Sequence, residues 1–266
     1  QYKRYEFMPQ PKIVAIDLAA DLFPTASPRG YRMRGTFTLR NKQPRPIDTL
    51  LINYDPSRSV SSRLSLSRPA RVLRDDPASG VRLYRLRQPL QPNDSLDLRF
   101  EVGYQARGFT SRLKGTGVFD WATIAPEDRL TSNGTFLGDT GLRIGYQPGA
   151  ELEDDDVRRR NGLRPKDRAL RLDDPRGRRI ADFGPDADYV RYQATISTDA
   201  DQIAVTPGYL QREWTRNGRR YFQYRMDQPM MPMTGILSAR YKVHRETWQP
   251  QDGGRPVAIE IYYDPH

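Results

Sequence analysis

Residues 214–248, WTRNGRRYFQYRMDQPMMPMTGILSARYKVHRETW, and residues 257–266, VAIEIYYDPH, decide the fold of this chain. The pair Asn217-Gly218 separates two alternating segments, and such a pair favours a type I′ hairpin because both central residues need positive φ. A crossing rich in Pro and Met follows, and then a strand of small residues is predicted over Gly235–Val243. A last apolar strand is predicted over Val257–Tyr263. The C-terminal part is therefore built from antiparallel strands.

Composition favours an all-β fold. The chain has 266 residues, enough for a substantial core, and 36% of them are hydrophobic. Its 22 Pro and 20 Gly are scattered between short segments, which is typical of turns that separate short strands. Cysteine is absent, which excludes disulfides, thiolate zinc sites and thiol nucleophiles. A formal net charge of +10 indicates a basic surface or attraction to an anionic one.

The chain divides by pattern into three parts of one continuous domain. Residues 1–107 carry strands at regular spacing, which predicts the first sheet layer of a sandwich. Residues 108–187 are more polar and predict an irregular, partly helical insertion, with a helix of about three turns over Glu151–Gly162. Residues 188–266 predict the second sheet layer. The expected fold is a sandwich or saddle of many short, mostly antiparallel strands, with one or two short helices in the middle.

Several segments, in their order along the chain, resemble the N-terminal β domain of aminopeptidase-N-type (gluzincin) zinc metallopeptidases. Gly35–Lys42, followed by residues 46–50, resembles the opening of that domain, and Leu90–Tyr104 resembles its "L-x-x-G-x-x-x-L-x-I-x-Y" strand. The small-residue strand ending at Ser238–Tyr241 resembles its "P-M-x-x-Y-L-x-A-F" strand. The chain is more closely similar to a peptidase-like module fused to some bacterial ABC-transporter permeases, through Asn133–Phe136 and Pro207–Gln211 among others.

This resemblance implies a noncatalytic domain that flanks the cleft of a following catalytic domain. It implies no peptidase activity for the chain itself, a zinc ion only in the following domain, and an extracytoplasmic, periplasmic location at the bacterial inner membrane. The expected partners are that catalytic domain and membrane segments. Both ends of the sequence are expected to be cuts in a longer protein. In the family, zinc is held by His-Glu-x-x-His, whereas the two histidines here, His244 and His266, are far apart.

One segment is a candidate for contact with substrate. The resemblance implies that a loop near the middle of the β domain reaches the cleft and holds the free amine of the substrate. The matching residues are Asn133, Gly134 and Thr135, and Asn133 is the polar candidate. The family usually carries Gln or Glu in this loop, so exopeptidase specificity stays open. A plain β-turn at Asn133-Gly134 is the alternative interpretation.

Acidic clusters have a simpler explanation than metal binding. Asp154-Asp-Asp156, with Glu151 and Glu153, supplies oxygen ligands of the kind calcium prefers. Consecutive residues point in different directions, however, and acids followed by arginines match the dipole of a helix. We therefore expect helix-terminal charge pairing and no metal site or cofactor in these residues.

The remaining hypotheses concern binding. The segment Arg158–Arg179 is basic and is a candidate for contact with anionic lipid headgroups, with a solvated loop as the alternative. Its interleaved acids and lack of aromatics argue against nucleic acid, which is ranked last. A second class of function is a separate β-sandwich module that binds carbohydrate or peptide. Its stacking platform would use Trp121, Trp214, Tyr221 and Trp248.

Overall fold

The structure is a computed structural model that describes residues 2–56, 60–106, 130–148, 151–152, 154–165, 173–175 and 187–264. After a 3₁₀ turn at Tyr2–Tyr5 the elements are β1 Lys12–Phe23, β2 Gly30–Arg40, β3 Ile47–Asn53, β4 Val60–Leu66, β5 Ala70–Asp76, β6 Val81–Leu90, β7 Ser95–Gln105, β8 Gly134–Leu137, β9 Arg143–Ile144, α1 Asp155–Arg160, β10 Ala187–Asp199, β11 Ile203–Val205, β12 Tyr209–Arg216, β13 Arg219–Arg225, β14 Ile236–Ala239, β15 Lys242–Trp248 and β16 Val257–Tyr263.

A seven-stranded sheet in the order β12-β13-β10-β1-β2-β7-β4 forms the main layer. All of its neighbours are antiparallel except β1 and β10, which run parallel with Ile16 opposite Tyr192. Alternate residues of β1, including Leu18 and Leu22, are buried on one face, as expected for a strand with one face on the core. The opposite face carries polar residues such as Asp17 and Asp21.

Smaller sheets cover the buried face of the main sheet. A four-stranded sheet, β5-β6-β3-β9, contributes Leu50 and Ile52 to the same core as Leu18. A three-stranded sheet, β11-β14-β8, adds Leu137 and Ile236. The protein is thus an all-β, sandwich-like fold, and this prediction from the sequence is confirmed. None of the helices in the described ranges has the length and apolarity that crossing a bilayer requires.

The strands match the alternating segments closely, but the sheets do not follow the division of the sequence. β16 has the predicted bounds, and β12 and β13 meet at Asn217-Gly218, with φ of 51° and 71°. However, β10, β12 and β13 lie in the same sheet as β1 and β2. Assigning one sheet layer to residues 1–107 and the other to 188–266 is therefore corrected, because the parallel pair β1–β10 joins both parts.

Two predicted elements are shorter than expected. The helix predicted over Glu151–Gly162 spans only Asp155–Arg160, because Asp154 is extended and its carboxylate accepts a hydrogen bond from the Val157 amide at 2.8 Å. The strand predicted over Gly235–Val243 is interrupted after Ala239. Of the expected insertion at 108–187, residues 108–129, 149–150, 153, 166–172 and 176–186 lie outside the described part, and the described residues include β8, β9 and α1.

The C-terminal hairpin is a separate two-stranded sheet. β15 and β16 pair from Lys242 with Tyr263 to Trp248 with Val257. Its base adjoins the three-stranded sheet, because only Arg240 and Tyr241 separate β15 from β14. This arrangement places the base of the hairpin beside the loop that precedes β8, where the candidate site lies.

Candidate functional site

The candidate loop is a tight turn at the start of β8. The amide and the hydroxyl of Thr131 both donate to the carbonyl of Gly134, at 2.8 and 2.9 Å. Leu130 bridges to Thr135 across the turn, so Ser132 and Asn133 form its tip. The turn is held by its own backbone, and its position relative to the sheets is set by contacts from outside.

A buried glutamine anchors the turn. Gln202 is fully buried, and its amide nitrogen donates to the Ser132 carbonyl at 3.1 Å. Its amide oxygen accepts hydrogen bonds from the hydroxyls of Thr198 and Ser238, at 3.2 and 2.9 Å. A buried amide with its partners satisfied fixes geometry, since breaking any of these bonds would leave a polar group without water.

An arginine and an aspartate hold the side chain of Asn133. Arg240 donates to the Asn133 side-chain oxygen and to the Ser132 carbonyl, both at 3.2 Å, and it forms an ion pair with Asp201. The Asn133 amide nitrogen donates to the carboxylate of Asp264 at 3.4 Å. The Arg240 guanidinium and the exposed Asp264 carboxylate therefore flank Asn133, and a carboxylate beside a carboxamide offers oxygen acceptors of the kind that an ammonium group pairs with.

The three candidate residues differ in what they present to solvent. Asn133 is exposed at the tip of the turn, Gly134 opens β8, and the side chain of Thr135 is buried between the sheets. Only Asn133 offers a polar side chain outward. Sequence reasoning did not identify Gln202, Arg240 or Asp264 as members of this site. The one local signal was a charged residue, Arg240, within an otherwise small and apolar segment.

The residues present do not fit a zinc site. Among the described residues no group of three or more His, Cys, Asp or Glu side chains could hold a metal ion. His244 is exposed on β15 and its ring nitrogen lies 2.8 Å from the Glu246 carboxylate on the same strand. His266 and Glu153 lie outside the described residues. The carboxylate of Asp154 caps α1, as helix-terminal charge pairing predicts.

The aromatic residues of the binding hypothesis do not form one platform. Trp214 and Tyr221 are cross-strand partners whose rings stack at 5.1 Å, and the Arg212 guanidinium lies 4.9 Å from the Trp214 ring. One face of each ring is therefore covered by the other. Trp248 is exposed on the separate hairpin, and Trp121 lies outside the described residues. Within the described part of the chain, no ring contact joins Trp248 to the stacked pair.

The basic segment is only partly open to solvent. Arg158 is buried and pairs with Glu151 at 3.1 Å, while it also donates to the carbonyls of Leu152 and Arg164. The Arg158 guanidinium therefore holds α1 against adjacent residues of the same polypeptide and is not available to a lipid headgroup. Arg159, Arg160 and Arg164 are exposed. Residues 166–172 and 176–179 of this segment lie outside the described part.

Comparison with solved structures finds M1 zinc metallopeptidases among the similar proteins. The chain is similar to the M1 zinc metallopeptidase from Deinococcus radiodurans, with 12% identity, a TM-score of 0.55, and coverage of 97% of this chain and 48% of that one. A variant of that enzyme solved with a Tyr-Ser-Ala substrate gives 10% identity, a TM-score of 0.56 and the same coverage. A two-domain M1 zinc metallopeptidase variant bound to L-arginine gives 12% and 0.54, with coverage of 97% and 48%.

These similarities concern the fold. At such low identity they show that the chain has the fold of part of an M1 zinc metallopeptidase, and the chain spans about half the length of those structures. Comparison with protein-family models and with curated protein sequences finds no match. The similarity agrees with the aminopeptidase-N-like domain that the sequence motifs indicate.

Proposed function

We propose that the chain is the noncatalytic β domain of a zinc-aminopeptidase-like protein and flanks the cleft of a catalytic domain. The observation that carries this proposal is the environment of Asn133. The loop is fixed from below by Gln202, and Asn133 lies between Arg240 and Asp264 at an exposed edge. The fold similarity to about half of an M1 zinc metallopeptidase supports the same assignment.

In this proposal the chain positions substrate and the other half performs the chemistry. Asn133 and the adjacent Asp264 carboxylate offer oxygen acceptors to the free amine of a peptide. In this proposal zinc is held by the other half, through the His-Glu-x-x-His motif expected there. The chain alone is expected to have no zinc-dependent hydrolysis.

The experiment compares the 266-residue chain with the longer polypeptide encoded by its gene. The coding sequence after His266 is expected to contain His-Glu-x-x-His followed by a distant Glu. The longer protein is expected to hydrolyse aminoacyl-p-nitroanilides and to lose activity when zinc is chelated, while the chain alone is inactive. A stop codon after His266, or zinc-dependent hydrolysis by the chain itself, would refute the proposal.

The proposal extends to the membrane. The resemblance to modules of bacterial transporter permeases supports an extracytoplasmic location near an anionic leaflet, with Arg159, Arg160 and Arg164 as the exposed contacts. Co-sedimentation with phosphatidylglycerol vesicles should weaken when these three residues are changed to Gln. The matched control changes Arg63, Arg212 and Arg216 to Gln. These three residues lie outside the segment Arg158–Arg179. Equal loss in both variants would indicate only a general charge effect.

A further inference from the structure

Strand β12 is a free edge of the main sheet. It pairs with β13 alone, and in the described part of the chain no backbone group outside β13 bonds to it. A two-residue hairpin closes on a hydrogen-bonded pair, which here is Arg216 with Arg219. The N–H and C=O groups of the alternate residues Thr215 and Glu213 therefore point away from β13. Strand β12 thus presents a row of unused backbone donors and acceptors.

The outer face of β12 is basic. On β13, Phe222 and Tyr224 are buried, so the odd-numbered residues of that strand point to the outer face of the sheet. Residues opposite one another share a face, which places four residues of β12 outside as well: Tyr209, Arg212, Trp214 and Arg216. Both arginines are exposed, and within the described residues neither has an ion pair or a hydrogen bond. The one acid of the strand, Glu213, lies on the other face and pairs with Arg220 at 2.7 Å. The outer face of β12 therefore carries two uncompensated positive charges.

The surroundings of these two arginines favour an anionic partner. Arg216 lies directly opposite Arg219, and like charges in that position are destabilising. Arg219 forms an ion pair with Asp199 at 3.8 Å, so no acid compensates Arg216. The Arg212 guanidinium lies 4.9 Å from the Trp214 ring, a contact that orders it without using a hydrogen bond. Carboxylates from a partner would supply the charge-assisted hydrogen bonds that both guanidiniums lack.

We propose that β12 receives an extended acidic segment of another polypeptide by strand addition. The backbone of the added strand bonds to the free groups of Glu213 and Thr215. Arg212 and Arg216 are four residues apart on one face, about 13 Å along the strand. The added strand therefore carries acidic side chains at positions i and i+4, with an apolar side chain between them opposite Trp214. This partner site shares no residue with the candidate site at Asn133 and does not depend on the proposed function.

The choice of occupant follows from the backbone and the charge together. Nucleic acids and lipid headgroups offer anionic groups to arginine, but only a polypeptide offers alternating N–H and C=O groups at the spacing of a strand. A second copy of β12 would add another Arg212 and Arg216 to the same face, and like charges at a strand pairing are unfavourable. An acidic segment meets both requirements.

Fluorescence anisotropy tests the charge requirement on the full polypeptide encoded by the gene of this chain. The probe is a labelled seven-residue peptide with Glu at its second and sixth positions and Thr or Val elsewhere. We expect saturable binding that weakens with added salt, because exposed charges are screened. Arg212→Gln combined with Arg216→Gln should raise the dissociation constant by about tenfold. Arg71→Gln combined with Arg87→Gln removes the same charge from exposed positions on β5 and β6 and should leave the dissociation constant unchanged.

Backbone pairing is tested by hydrogen exchange and by modified probes. Bound probe should slow amide exchange in residues 212–216 by about tenfold. Two further probes are N-methylated at the odd or at the even positions and keep all of their charges. Only one of them should lose binding, because alternate N–H groups of a strand point to opposite sides and only one set faces β12.

Each alternative gives a result of its own. No saturable binding at about 1 mM probe, or equal weakening by the variant at Arg71 and Arg87, would overturn the inference. Equal binding by the two N-methylated probes would assign the arginines to polyanions in general and overturn strand addition. A loss of vesicle binding by the variant at Arg63, Arg212 and Arg216 that exceeds the loss in the variant of the Arg158–Arg179 segment would assign them to lipid headgroups, with the same consequence.

Discussion

Asn133 and Asp264 lie 131 positions apart in the chain, yet the Asn133 amide donates to the Asp264 carboxylate at 3.4 Å. This contact joins the candidate loop to the residue that directly follows β16. It brings together the exposed side chain of Asn133, the guanidinium of Arg240 and the base of the hairpin. The site is therefore a junction between two sheets and not an isolated turn.

The position of Asn133 predicts an effect on substrate choice. In the longer, active protein, Asn133→Ala should lower kcat/KM for a dipeptide with a free amine by about tenfold relative to its N-acetylated form, because a hydrogen bond to a charged group is lost. Ser132→Ala is the control, since Ser132 is held through its backbone carbonyl. An equal loss on both substrates would show that Asn133 acts only on the stability of the loop.

Local pattern was sufficient to locate strands. The apolar segment Val257–Tyr263 predicts a strand with these bounds, and β16 has them in the structure. The Asn217-Gly218 hairpin followed from the need for positive φ at both residues, and both have it. These features depend on neighbours in sequence, which is why a single sequence contains them.

Long-range pairing could not be predicted in the same way. Nothing in the alternation of β1 or β10 says that Ile16 lies opposite Tyr192 in a parallel pair. The break after β14 depends on Arg240 leaving the strand to bind Asp201 and Asn133, which requires the fold to exist first. For the same reason the sequence indicated Asn133 but not the partners that hold it.

The turn between β12 and β13 predicts a glycine requirement. Gly218 has φ of 71° and a Cβ there would meet nothing within 4 Å, so only backbone strain opposes a larger residue. Gly218→Ala should lower the free energy of unfolding by about 1–2 kcal/mol in urea titration. Gly138 also has open space around it but lacks a positive φ. Gly138→Ala should therefore change the free energy of unfolding by less than about 0.5 kcal/mol. Similar losses for both would contradict the strain argument.

The hydrogen bonds of Gln202 predict that the stability of the protein and the order of the loop at residues 131–134 are linked. Gln202→Leu removes the donor to the Ser132 carbonyl and the acceptor for Thr198 and Ser238, all at a fully buried position. We expect a loss of roughly 2–4 kcal/mol in the free energy of unfolding, together with faster hydrogen exchange in residues 131–134. Gln211→Leu, at an exposed position on β12, is the control and should do neither. Normal exchange in the loop of the Gln202 variant would refute an anchoring role.

The start of the parallel pair β1–β10 predicts a dependence of stability on acid. The Lys42 ammonium bonds to the Asp188 carboxylate at 2.7 Å, Lys12 lies 3.9 Å away, and the hydrogen bond from Lys42 holds the pKa of Asp188 below its ordinary 3.8. A carboxylate with a lowered folded pKa stabilises the protein above the unfolded value, and this contribution disappears as the pH falls through the folded pKa. Because both groups are more than a third exposed, the contribution should stay below about 1 kcal/mol.

Lys42→Gln should therefore lower the urea midpoint more at pH 7 than at pH 3. The difference in midpoint between pH 7 and pH 3 should then be smaller than in the unchanged protein. Other carboxylates paired with arginine, including Asp75 with Arg82, keep the remaining acid dependence. Lys242→Gln, on the exposed hairpin, removes the same charge without touching Asp188 and should leave the difference between pH 7 and pH 3 unchanged. If both variants reduce the difference in midpoint equally, the effect comes from net charge and not from the ion pair between Lys42 and Asp188.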